Sequence, residues 1–138
     1  MSSTQTDTKT RILDTTWKLL ESGNKNVRMS DIAKAVGISR QALYLHYPNR
    51  ADLLIATTRH IDSVKDIDGR LAESRAAKSG KDRLSAFIRA WVGYIPEIHG
   101  TSVALRAMQA TDAEAAAAWN DRMQAMRHGC AAGGKAIK

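Results

Sequence analysis

The sequence predicts an all-α protein, and three observations carry that prediction. Apolar residues recur three and four positions apart through most of the 138 residues, the spacing that lines one face of a helix. No run alternates apolar with polar as a half-buried strand would, and no Asn-Gly pair offers a tight hairpin turn. Caps and breakers stand where the periodicity lapses, at Ser22-Gly23-Asn24, Gly37, Pro48-Asn49, Ser79-Gly80 and Pro96.

The first helix is expected from Asp7 to Glu21. Ile12, Leu13, Thr16, Trp17 and Leu20 share one face, and Lys9, Arg11, Asp14, Lys18 and Glu21 lie largely on the other. A short second helix, Met29 to Val36, turns Ile32, Ala33 and Val36 inward, and Gly37 follows where a left-handed cap residue would sit. Ser39 is a good N-cap for a third helix that reaches Tyr47 and is stopped by Pro48. Asn49 caps a fourth, whose stripe of Leu53, Leu54, Thr57, Ile61 and Val64 predicts a helix lasting to about Gly69.

Arg70 to Lys81 is polar, small and weakly helical, and reads as a connector with Ser79-Gly80 as its break. Leu84, Phe87, Ile88, Trp91, Val92 and Ile95 then form the cleanest helical stripe in the chain, which Pro96 is expected to end. A short helix from about Ser102 to Ala110 carries Leu105 and Met108. Thr111-Asp112-Ala113-Glu114 has the spacing of a capping box, so a last helix should start there. It carries Ala115, Trp119, Met123 and Met126 inward and reaches about His128.

Lysine and arginine outnumber aspartate and glutamate by 21 to 14, giving a net charge of +7 and a pI near 9.9. That balance favours a polyanionic partner, nucleic acid or an anionic membrane. Cys130 is the lone cysteine, which excludes an internal disulfide and a thiolate zinc site within one chain. The N-terminus has neither a basic start nor an apolar run, and no segment approaches the roughly 18 apolar residues of a membrane span. A soluble, cytoplasmic protein is expected.

Catalytic readings are poor. His99 sits beside Gly100 in the loop expected after Pro96, His128 lies near a helix end, and no two histidines have ligand spacing on one helix. Asp112 and Glu114 are first-turn acids that complement a helix dipole. Cys130 and His128, two apart on a helix, point different ways. No Gly-rich phosphate loop is present, so neither an enzyme nor a metal or cofactor is expected.

A helix-turn-helix needs a small side chain where its helices cross and a residue tolerant of positive φ in its turn. Between Val27 and Tyr47, Ala33 and Gly37 supply these, Leu43 anchors the second helix, and Ile32, Val36 and Ile38 complete the cluster beneath it. On the outward face of that second helix lie Arg40, Gln41, Tyr44 and Leu45. Arginine can donate twice to guanine, glutamine can pair with adenine, and an exposed leucine can cover a thymine methyl. Asn49 and Arg50, opening the next helix, suit a phosphate.

These residues resemble the bacterial transcriptional regulators of the tetracycline-repressor type. The likeness runs over residues 9 to 54: Thr10-Arg11-Ile12-Leu13 with Trp17 and Leu20, Asp31-Ile32-Ala33-Lys34-Ala35-Val36-Gly37-Ile38-Ser39, then Leu43-Tyr44, His46-Tyr47, Arg50 and Leu53. The resemblance implies that Tyr44 and His46 contact the phosphate backbone, that Arg40 and Gln41 face bases, and that Arg50 matches the family's usual lysine. Two positions depart from the family: Gln41 stands where many relatives carry glycine, and Arg28 where a threonine or serine commonly caps the second helix. The candidate DNA-binding residues are therefore Arg28, Ser39, Arg40, Gln41, Tyr44, Leu45, His46 and Arg50.

The expected organisation is a DNA-binding head over residues 1–52 and a helical ligand-binding and dimerisation region over 53–138. The resemblance implies a double-stranded DNA operator, a homodimer, and a small apolar effector in the second region, with no membrane partner. Trp91, Tyr94, Met108, Trp119, Met123 and Met126 are the candidate lining of an effector cavity, against the alternative of ordinary core packing. Family members continue through further helices that form the dimer interface, whereas this chain stops at Gly133-Gly134-Lys135-Ala136-Ile137-Lys138. The second region is thus expected to be incomplete, or to dimerise another way. The competing functional class is a helical ligand-binding or protein-interaction module without specific DNA binding.

Overall fold

The computed structural model describes residues 2–23 and 27–137. Among them are eight helices and no strand: α1 (Ser2–Glu21), α2 (Met29–Val36), α3 (Arg40–His46), α4 (Arg50–Val64), α5 (Ile67–Arg70), α6 (Ala72–Ala76), α7 (Gly80–Met108) and α8 (Ala113–Ile137). Asn24, at the expected break after the first helix, lies outside the described residues.

The first three helices close on one another as the apolar pattern requires. Ile12, Leu20, Ile32, Leu43, Leu53 and Leu54 are all fully buried. Gly37 takes φ 86° and ψ 31°, and both its own N–H and that of Ile38 donate to the Ala33 carbonyl, which closes the last turn of α2 in the left-handed manner. Arg11 on α1 donates to the Val36 carbonyl at 2.7 Å, so the C-terminus of α2 is held from a second helix. Nothing stands within 4 Å of where a Cβ at Gly37 would lie. Replacing Gly37 with alanine should therefore express the backbone cost alone, about 1–2 kcal/mol, read as a fall in the urea midpoint; asparagine at the same position should cost less.

Several expected boundaries of the later helices are corrected, among them that of α8, which runs to Ile137 rather than to about His128. The fourth helix stops at Val64 rather than near Gly69, because Asp66 adopts φ 54° and turns its carboxylate to the Gly69 N–H at 3.1 Å. Aspartate enters that left-handed region more readily than most residues. The weakly helical connector carries α6 after α5, with the Ser74 hydroxyl donating to the Arg83 carbonyl and pinning α6 to the start of α7.

Pro96 does not end its helix: α7 runs unbroken to Met108 and absorbs the short helix expected from Ser102. Proline removes the hydrogen bond to the carbonyl four residues earlier, here Val92. Both Pro96 and Val92 are exposed, so water can serve that carbonyl and the interruption is tolerated. The apolar stripe of α7 is likewise not all inward. Leu84, Ile88, Val92 and Ile95 are each about half exposed or more, while Ala86, Tyr94, Thr101, Leu105 and Met108 form the buried line.

α8 packs along α7 and α4, and α1 touches α4 and α7. Leu105, Met108, Ala115 and Ala118 thereby join the same core cluster as Ile12, Leu43 and Leu53. α4 runs without interruption across the expected boundary at residues 52 and 53, so one helix serves both regions.

Candidate nucleic-acid interface

α3 is only seven residues long, too short to stand alone, and it is placed by its ends and by one anchor. The Ser39 hydroxyl accepts from the Ala42 N–H at 3.1 Å and caps it, and Leu43 is fully buried beneath it. Ala33, itself buried, leaves room for the crossing of α2 and α3. Lys9 lies 5.6 Å from the centre of the Tyr47 ring, joining α1 to the end of α3.

With Leu43 fixed inward, the opposite face of α3 is presented to solvent. Arg40, Gln41 and Tyr44 are exposed, and Leu45 is 86% exposed. Arg40 and Gln41 make no hydrogen bond or ion pair with the other described residues. His46 is half-buried beside them. Arg28, at the N-terminal edge of α2, is exposed as well. Its guanidinium offers no acceptor to the first turn of α2, while Asp31 in that turn accepts from the Arg28 N–H at 3.2 Å and lies 3.5 Å from its guanidinium. Arg28, Arg40 and Tyr44 line one recess, and Ser39, Gln41, Leu45 and His46 lie on the same short helix or at its cap.

Arg50 is the exception. Expected at the phosphate backbone, it is 8% exposed. Its Nε donates to the Val27 carbonyl, one terminal nitrogen pairs with Asp112 Oδ2 at 2.5 Å, and the other lies 3.7 Å from the Met108 sulfur. A buried guanidinium demands acceptors, and the corner between α7 and α8 provides them. Glu114 reaches the same point, accepting from the Ala51 N–H at 3.0 Å and so capping α4 from another helix. The first-turn acids of α8 therefore do more than complement its dipole. Asp112, not Thr111, is the N-cap, with Oδ1 accepting from the Glu114 and Ala115 N–H groups.

Burial works to raise the Asp112 pKa, but hydrogen bonds from Arg50 and from the Ala115 backbone, with the Arg50 charge, outweigh it and hold the carboxyl below its ordinary 3.8. No local signal in the sequence joins Arg50 to Asp112, 62 positions away.

A second recess lies behind the head, between α4, α7 and α8. It encloses about 200 Å³ and is lined by Trp91, Trp119, Met123 and Met126 of the expected set, together with Ile61, Ile98, Leu105, Thr58, Thr101 and Ser102. The other two expected residues are elsewhere. Tyr94 is fully buried and donates to Asp62 at 2.6 Å, and burial followed by that hydrogen bond raises its pKa. Met108 packs in the core and against Arg50. Asp62 and Arg122, which pair at 2.5 Å, form the polar edge of the cavity and carried no sequence signal.

Among the described residues no group of three histidine, cysteine, aspartate or glutamate side chains could hold a metal. No helix there is long and apolar enough to cross a membrane.

Residues 12–57 match the family model of bacterial regulatory proteins, tetR family, a stretch that opens in α1, takes in α2 and α3, and closes in α4. No curated protein and no solved structure gives a significant match to the chain.

Proposed function

We propose that this chain, whose residues 12–57 form the N-terminal helix-turn-helix domain of the tetR family of bacterial regulatory proteins, is a ligand-responsive repressor. The match of residues 12–57 to that family supports a DNA-binding transcriptional regulator. The finer reading is that it binds a two-fold operator as a homodimer, each α3 lying in a major groove. The observation that supports this is the division of α3, with Leu43 sealed in the core while Arg40, Gln41 and Leu45 stand exposed beside it. Arg40 and Gln41 are the base-reading pair, Leu45 covers a thymine methyl, and Tyr44, His46 and Arg28 position the head on phosphates.

Release follows from the way the head is tied to the rest. Leu105 lines the cavity, and three residues further along the same helix Met108 touches the Arg50 guanidinium. Arg50 in turn holds Val27, just before α2. A ligand that displaces α7 or α8 therefore moves the residues to which α2 and α4 are fastened. It shifts the equilibrium only as far as it prefers the displaced arrangement.

Selection from a random duplex pool, at physiological salt with competitor DNA, tests the function. Enrichment of an inverted repeat is the expected result. Weak, sequence-indifferent binding would instead favour a helical interaction module.

A further inference from the structure

Two polar atoms in the α4–α7–α8 cavity have no partner. Trp91 Nε1 and Thr101 Oγ1 are buried and unbonded among the described residues, and both residues line the recess. Several of the same side chains elsewhere are satisfied. Trp17 donates to Glu21 at 2.7 Å, and the buried hydroxyls of Thr16, Thr57 and Thr58 each donate to a carbonyl of their own helix. Thr101 is 4% exposed and makes no such bond. Buried donors left unpaired are costly, and where they cluster in a cavity they mark the place of a missing acceptor.

The charged groups at the cavity edge limit what that acceptor can be. Asp62 is already engaged by Arg122 and by the Tyr94 hydroxyl, so no free cation remains to hold an anion, and the Asp62 charge opposes one. The rest of the wall is aliphatic, thioether and indole apart from the hydroxyls of Thr58, Thr101 and Ser102, of which Thr58 already donates to the Ile55 carbonyl. A cavity of roughly 150 Å³ takes benzene, so one of about 200 Å³ takes a substituted single ring or a short chain.

We propose that the cavity binds a small, neutral, mainly apolar molecule carrying a carbonyl or ether oxygen, which accepts hydrogen bonds from Trp91 Nε1 and Thr101 Oγ1. This names the ligand class for the effector site of the proposed repressor and rests on that reading. Trp91 and Thr101 are the specificity-determining residues. A hydrocarbon of the same size leaves both donors unpaired, and a carboxylate meets Asp62.

The test uses three probes of similar size, acetophenone, cumene and benzoate, titrated against the DNA-free protein by ligand-observed NMR. Acetophenone should bind about tenfold or more tighter than either of the others, as expected where a site's buried donors are met by one ligand and not another. Trp91→Phe and Thr101→Val should each weaken acetophenone severalfold, and together should bring it level with cumene. Unchanged cumene binding in these variants shows that the cavity has kept its shape. Equal affinity for acetophenone and cumene in the native protein, a preference for benzoate, or an acetophenone preference that survives both substitutions would overturn the proposal. Operator binding and release are measured separately. Selective acetophenone binding without release of DNA would leave the ligand class standing and remove ligand control of the repressor.

Discussion

Replacing Asp112 with alanine should destabilise the protein by about 3–5 kcal/mol, the range seen when one partner of a buried ion pair is removed. The size follows from what remains. Arg50 keeps the Val27 carbonyl but loses the carboxylate that pairs with it, and at 9% side-chain exposure it cannot recruit water freely. The α8 N-cap is lost in the same substitution, because Asp112 Oδ1 serves the Glu114 and Ala115 N–H groups. Asp112→Asn, which keeps the cap and loses the charge, should cost less. Changing Arg50 to methionine together with Asp112→Ala should recover much of the loss, since no unpaired charge then stays buried. Arg50→Ala itself should lower stability and leave the salt dependence of DNA binding nearly unchanged, the reverse of what a phosphate contact would do.

The same pair gives a pH dependence of defined sign. The folded Asp112 carboxyl is held below 3.8, so its contribution is fully present above that value and fades as pH falls through the lowered folded pKa. The difference in melting temperature between the native protein and Asp112→Asn should be constant at neutral pH and shrink in acid below about pH 4. A difference that grows on acidification would mean that Arg50 does not stabilise the carboxylate.

Leu43 and Leu45, two residues apart on one short helix, should separate folding from reading. Leu43 is fully buried, and truncation to alanine leaves a cavity at the centre of the head, costing about 2–5 kcal/mol. Leu45 is 86% exposed, and alanine there should change stability by less than about 0.5 kcal/mol. In DNA binding the order is expected to invert once both proteins are folded. Leu45→Ala should weaken the selected site and leave random duplex unaffected, because a thymine methyl contact carries sequence information. Chemical denaturation and a paired gel shift read the two effects independently.

The head was legible in the sequence because its determinants are local. Ala33, Gly37 and Leu43 sit within one motif, and their spacing alone places the face that carries Arg40 and Gln41. The misplaced residue was Arg50, whose environment depends on Asp112 and Met108 from a corner some 60 positions away. An arginine opening a helix reads as a phosphate ligand when only its neighbours in sequence are known. The α7 helix misled for a related reason. A proline is a helix breaker unless the carbonyl it orphans faces water, and that depends on which side of α7 packs against α8. The cavity was half legible, since Trp91, Trp119, Met123 and Met126 share it while Tyr94 and Met108 fill the core. Apolar periodicity marks one face of a helix but not whether that face meets a neighbour, a void or, as at Leu84, Ile88, Val92 and Ile95, solvent.

Base reading by α3 is tested most directly by measuring native, Arg40→Ala and Gln41→Ala proteins on the selected operator and on random duplex at one salt concentration. Each substitution should cost about 1–3 kcal/mol on the operator and little on random DNA, so that the specificity ratio falls by about tenfold or more. Equal losses on the two duplexes would show that these side chains hold the backbone only, and would contradict sequence recognition by α3.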